Sequence, residues 1–132
     1  MLKYKLIQKS NPRDLTAPKK FYASHASSGR KTIKTISRDI EDKSSLSRGD
    51  IGNVLDNLVD QIPKYLLDGQ SVSLGELGSF RLTLSSEGAE QEADFNTSMI
   101  KNVKIVFTPG KMLKEEVAKA RFEKIVYSQS DR

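Results

Sequence analysis

The stretch VSLGELGSFRLTL, residues 72–84, constrains this chain more than any other. It begins like a strand, breaks at Gly75 and Gly78, and then resumes strict alternation. Phe80, Leu82 and Leu84 lie to one side, and Ser79, Arg81 and Thr83 to the other. Such a strand needs a hydrogen-bonded partner and one buried face. The chain then enters SSEGAEQEADFNTSM, which has little to bury. The next apolar segment, IKNVKIVF at 100–107, is the natural antiparallel partner of residues 77–84, with residues 102–107 closest to the stem. The fifteen residues between are too many for a tight hairpin and carry no helical period. A projecting arm or loop is therefore expected.

The elements on either side follow from periodicity and caps. KYKLIQ at 3–8 and KFYASHAS at 20–27 alternate well enough for two strands, separated by the turn signals Asn11-Pro12 and Pro18. Ile33, Ile36 and Ile40 recur at helical spacing, which predicts a short amphipathic helix over 32–41. Ser47 and Asp50 stand as N-cap and N3 of a capping box. The helix they open carries Ile51, Val54, Leu55, Leu58, Val59, Ile62 and Leu66 at spacings of three and four. Pro63 lies inside that pattern and Asp68-Gly69 ends it. Thr108 is expected as the N-cap of a last helix, with Pro109 in its first position and Leu113 and Val117 facing inward. The tail RFEKIVY alternates through Phe122 and then Ile125 or Tyr127, and suits pairing with the N-terminal strands.

Two helices joined by a short turn could read a major groove. The second, however, carries Asp50, Asp56, Asp60 and Asp68 against Arg48 and Lys64, so it would repel phosphate. It reads as packing surface. The length of 132 residues suits one domain whose core gains from dimerisation. Charge is distributed unevenly: residues 1–34 hold nine Lys/Arg against one acid, 35–100 five against twelve, and 101–132 eight against four, so +8, −7 and +4 sum to the net +5. Basic ends around an acidic middle suit a polyanion. No run approaches the roughly 18–20 apolar residues that span a bilayer. MLKYKLIQK lacks the continuous apolar core of a signal peptide. With no cysteine, disulfides and thiolate metal sites are excluded, which fits a reducing cytoplasm. An enzyme is not expected. His25 has no nearby acid, the serines lack a base, and no cluster has metal-ligand spacing. Catalytic residues, metal, cofactor and small-molecule substrate are accordingly expected to be none.

Two motifs carry a resemblance: VSLGELGSF at 72–80 and FTPGKML at 107–113. With their spacing from the helix pair, they make residues 33–120 resemble the HU and integration host factor family of bacterial DNA-bending proteins. The N-terminal extension resembles the longer HU-related subfamily of Bacteroidetes-type bacteria. The resemblance implies an α+β fold: two N-terminal helices, a three-stranded antiparallel sheet with a protruding β-arm, and a C-terminal helix, plus an N-terminal strand pair. The implied division is a basic extension over 1–31, an HU-like DNA-binding domain over 32–120 with the arm at 81–104, and a tail over 121–132. It also implies an obligate homodimer on double-stranded DNA in the bacterial nucleoid. Lys111, in the first turn of the last helix, and Lys114 are then candidate phosphate ligands.

The chain departs from the family in the arm. Thr83, Ser85 and Gly88 stand where family arms usually carry arginines. The Arg-Asn-Pro tip, whose proline wedges between base pairs, is replaced by EGAEQEADF with Glu87, Glu90, Glu92 and Asp94. Four negative charges there should be pushed away from phosphate. Contacts are therefore expected from the arm stem, through Arg81, Lys101 and Lys104, and from the basic N-terminal segment, through Lys19, Lys20, Arg30 and Lys31. No helix offers Arg, Asn and Gln together on one face, so base readout is not expected. The alternative is a structural or interaction module on an HU scaffold that has lost DNA wrapping.

Overall fold

The structure, a computed structural model, describes residues 1–126. The elements run β1 (Leu2–Lys9), β2 (Lys20–His25), α1 (Ile33–Glu41), α2 (Arg48–Leu67), β3 (Val72–Ser73), β4 (Gly78–Ser86), β5 (Ile100–Pro109), α3 (Lys111–Val117) and β6 (Phe122–Lys124). Short 3-10 turns lie at Gly75–Leu77, Glu92–Asp94 and Thr97–Met99. The chain divides into two compact units, one of residues 1–31 with 118 onward and one of residues 32–117.

The first unit is a three-stranded sheet in the order β2-β1-β6. The expected strand pair forms antiparallel, with Tyr4 opposite His25 and Lys9 opposite Lys20. Its connection is shaped by side chains that accept from nearby backbone, as Asn and Asp do in turns. Asn11 Oδ1 accepts from the Arg13 N–H at 2.9 Å, and Asp14 Oδ1 from the Thr16 N–H at 3.0 Å and hydroxyl at 2.6 Å. Those bonds hold the Asp14 carboxyl below the usual carboxylate range. The tail does pair with the N-terminal strands: β6 lies parallel to β1, Leu2 opposite Phe122 and Tyr4 opposite Lys124, and the Ile125 N–H continues the ladder to the Tyr4 carbonyl at 2.9 Å. Tyr127 lies outside the described residues.

In the second unit, α1 and α2 form a pair joined by a short turn, and their ends are tied chemically. Thr32 caps α1 by accepting from the Thr35 N–H. The Ser47 hydroxyl accepts from the Asp50 N–H at 3.1 Å, as the expected N-cap should. The Glu41 carboxylate, at the end of α1, accepts from the Arg48 N–H, so it fills a second open donor of α2. The helix runs through Pro63 and stops at Asp68 and Gly69, whose φ of +84° favours glycine. Ile51, Leu55, Leu58, Ile62 and Leu66 make the inward stripe of α2, while Val54 and Val59 stay exposed.

The second sheet has the order β3-β4-β5, and β5 is the antiparallel partner of β4. The paired stem is longer than residues 102–107 suggested, reaching Ser86 opposite Ile100. The start of the last helix differs from expectation. Thr108 and Pro109 are the final residues of β5, opposite Ser79 and Gly78, and α3 begins at Lys111. Strand pairing outweighs the local cap signal because Pro109 sits at a strand end, where its missing N–H costs no ladder bond. Gly110 takes the cap position instead, its carbonyl accepting from the Lys114 N–H at 3.0 Å.

Candidate nucleic-acid interface

The base of the arm is set by two close backbone approaches. Gly78 has a φ of +138°, and a Cβ there would stand 2.7 Å from a Phe107 ring carbon and inside the Thr108 carbonyl oxygen. At Gly110 a Cβ would collide with the Glu76 backbone. Only glycine lets the turn Gly75–Leu77 lie against the end of β5. The contact is sealed by the Gly110 N–H donating to the Leu77 carbonyl at 3.1 Å. Just above, Phe80 and Phe107 are cross-strand partners with ring centroids 5.0 Å apart, a favourable aromatic geometry.

Register sorts the stem into two faces, because directly opposed residues share a face. Phe80, Leu82, Phe107 and Ile105 lie on one, and Ser79, Arg81, Thr83, Thr108, Val106 and Lys104 on the other. Two steps along β4, Thr83 to Ser85, then span three along β5, Lys104 to Lys101. The extra residue is a β-bulge at Asn102, whose φ is +52°. Asn is among the few non-glycine residues that tolerate that conformation. Without the bulge, Lys101 would point with Leu82 and Phe107. With it, Lys101 lies opposite Ser85 on the face that carries Arg81 and Lys104. The structure thus brings together the three stem residues expected from sequence, on one polar face and all exposed. No signal in the sequence short of Asn102 itself marks the bulge.

Beyond the stem, the Glu87 N–H donates to the Met99 carbonyl at 2.8 Å and closes the ladder. The tip is neither helix nor featureless: it is two 3-10 turns, the second capped by Asn96 accepting from the Ser98 N–H. Glu87, Glu90, Glu92 and Asp94 are exposed. Glu87 reaches back to Lys101, Oε1 to Nζ 3.9 Å, so one stem cation is partly balanced by the arm's own acid.

Lys111 is at the start of α3 and highly exposed, with Glu115 4.0 Å away one turn on. The helix start is not an open anion slot. The Met112 N–H donates to Glu76 Oε2 at 3.3 Å, so a carboxylate of this chain already occupies it. Sequence reasoning missed Glu76, which is 36 residues from its partner. Lys114 is exposed one turn into the helix. The four N-terminal candidates are not gathered: Lys20 opens β2, Lys19 precedes it, and Arg30 and Lys31 lie in the segment before α1. Among the described residues no group of three His, Asp or Glu side chains is placed to hold a metal ion, and no helix is long and apolar enough to cross a membrane.

An α+β unit with a helix pair, a glycine-hinged β-arm and a short closing helix is the HU architecture. The chain belongs to the HU-HIG family, described as an HU domain fused to wHTH, Ig, or Glycine-rich motif, whose profile matches residues 1–124. No curated protein matches it. Among solved structures, it is similar to a candidate bacterial DNA-binding protein from Bacteroides vulgatus, with 15% identity and a TM-score of 0.60 over 94% of this chain and 48% of that one. It therefore spans under half of that protein's length. It is also similar to Anabaena HU in a cocrystal with DNA, with 22% identity and a TM-score of 0.50 over 68% of this chain and 100% of that one.

Proposed function

We propose that the chain binds double-stranded DNA as a homodimer, through phosphate contacts and without base readout, as a nucleoid-associated protein. The observation that carries this reading is the stem face, where the bulge at Asn102 aligns Arg81, Lys104 and Lys101 beside hydroxyl side chains. Cations and hydroxyls on a flat ribbon are suited to sugar-phosphate backbone, whose recognition positions a protein without reading sequence. The DNA in the Anabaena HU cocrystal supports the same partner for a related fold. Lys114 and Lys111 extend the surface as point charges, Lys111 by its exposed ammonium rather than by an open helix end. Lys19, Arg30 and Lys31 add charge outside the sheets. Dimerisation is supported by the second unit's small core. Its buried apolar side chains are Ile51 and Leu66, while Val54, Val59, Leu84, Val103 and Ile105 are all more than half exposed.

The acidic tip favours a second reading, an interaction module whose arms meet a basic partner. A duplex titration across salt concentrations separates the two. Each phosphate contact contributes a slope of about −0.9 in log affinity against log salt. Neutralising Arg81, Lys101 and Lys104 together should flatten the slope by roughly 2.7 units per protomer. Weak binding with little salt dependence in the unmodified protein would favour the interaction module.

A further inference from the structure

The N-terminal sheet has two chemically opposite faces, which composition alone does not reveal. By register, Leu2, Tyr4, Leu6, Phe21, Ala23 and Phe122 share one face, with Gln8, His25 and Lys124 as its polar members. Lys3, Lys5, Ile7, Lys9, Lys20, Tyr22 and Ser24 share the other, with Glu123 its one acid. We infer that this second face is a separate binding site for the sugar-phosphate backbone of duplex DNA, built by Lys3, Lys5, Lys9 and Lys20 around Tyr22.

Four observations carry it. First, three of the lysines belong to β1, the central strand of the order β2-β1-β6. Lysines commonly guard open sheet edges against pairing. Lys3 lies where β1 is paired on both sides, by β2 with its neighbour Tyr4 and by β6, so that explanation does not reach it. Second, the four lysines are exposed, and among the described residues none forms an ion pair. Even Lys3, directly across from Glu123, forms none. Against four cations the single acid leaves a strongly positive surface. Third, residues two apart on a strand stand about 6.7 Å apart on one face, so Lys3 and Lys5 stand one such step apart and Lys9 two steps further on, beyond Ile7, in one row. That arrangement suits a linear polyanion better than a compact anion. Fourth, the face opens at one end into a cleft of about 490 Å³ lined by Lys9, Lys20, Tyr22, Asn11 and Pro18. There the Lys9 ammonium sits 5.9 Å from the centre of the Tyr22 ring. The cleft gives a bound backbone room to seat a phosphate between two lysines beside Tyr22.

The inference rests on the reading of the chain as a DNA-binding protein, and one experiment tells the two failures apart. The full chain and its K3Q/K5Q/K9Q variant are titrated with a short duplex from 50 to 200 mM salt. Circular dichroism checks that the exposed substitutions leave the sheet intact. Losing three phosphate contacts should flatten the salt slope by about one unit per lysine and weaken binding about equally on unrelated sequences. On the unmodified protein, added duplex should shift the amide resonances of residues 3–9 and 20–24. A parent that ignores duplex DNA overturns the proposed function. A parent that binds, beside a variant with the same slope and strand amides that do not move, overturns this site alone.

Discussion

Gly78 shows how one missing side chain sets the position of the arm. Its φ of +138° and the crowding by Thr108 and Phe107 act together, so Gly78→Ala should lose about 3 kcal/mol or more, read as a lower denaturant midpoint. Ser37 is the opposite case. It is 2% exposed, it packs where α1 faces Gly52, and its hydroxyl has no hydrogen-bond partner. Burying an unsatisfied hydroxyl costs about 1–3 kcal/mol. Ser37→Ala keeps the small shape and removes that penalty, so the thermal midpoint should rise. A fall would show that the hydroxyl gains a partner in the assembled protein. Gly78 was legible in the sequence as a break before an alternating run. Ser37 was not, because Ile33, Ile36 and Ile40 dominate the helical pattern around it and yet remain 39–42% exposed.

Among the elements, β5 departs most from what its sequence suggests. Its alternation reads through as one ribbon, but the bulge at Asn102 turns its outer end over. Asn102→Val disfavours the left-handed position that the bulge needs, so a regularised strand should move Lys101 to the apolar face and flatten the duplex salt slope by about one unit per protomer. Asn102→Gly keeps the left-handed position and should leave the slope unchanged. If both variants bind alike, the bulge does not organise the contact face. The start of α3 teaches the same lesson in reverse. Thr-Pro-Gly-Lys is a well-formed helix start, but the ladder to Ser79 and Gly78 claims Thr108 and Pro109 first, and Glu76 fills the donor that a free phosphate would need.

For the molecule as a whole, the second unit buries Ile51 and Leu66 while Val54, Val59, Leu84, Val103 and Ile105 stay exposed. Exposed apolar side chains that gather into one patch mark an interaction site. If two copies cover it, sedimentation should give twice the chain mass of 14.8 kDa, and the thermal midpoint should rise with protein concentration. Val54→Glu with Val59→Glu should then abolish both the dimer and duplex binding. A monomer of unchanged stability with full duplex affinity would exclude the dimeric arrangement.

The sequence by itself determined the two helices, the arm and the N-terminal strand pair. Those depend on local periodicity, caps and glycines, which neighbouring residues specify among themselves. Tertiary structure alone decided which cations share a face, that Phe122–Lys124 pairs with β1 and in the parallel direction, and that Glu76 sits at the start of α3. Each of these turns on register or on partners far apart in the chain, and a shift of one residue exchanges the faces of a strand without altering its pattern.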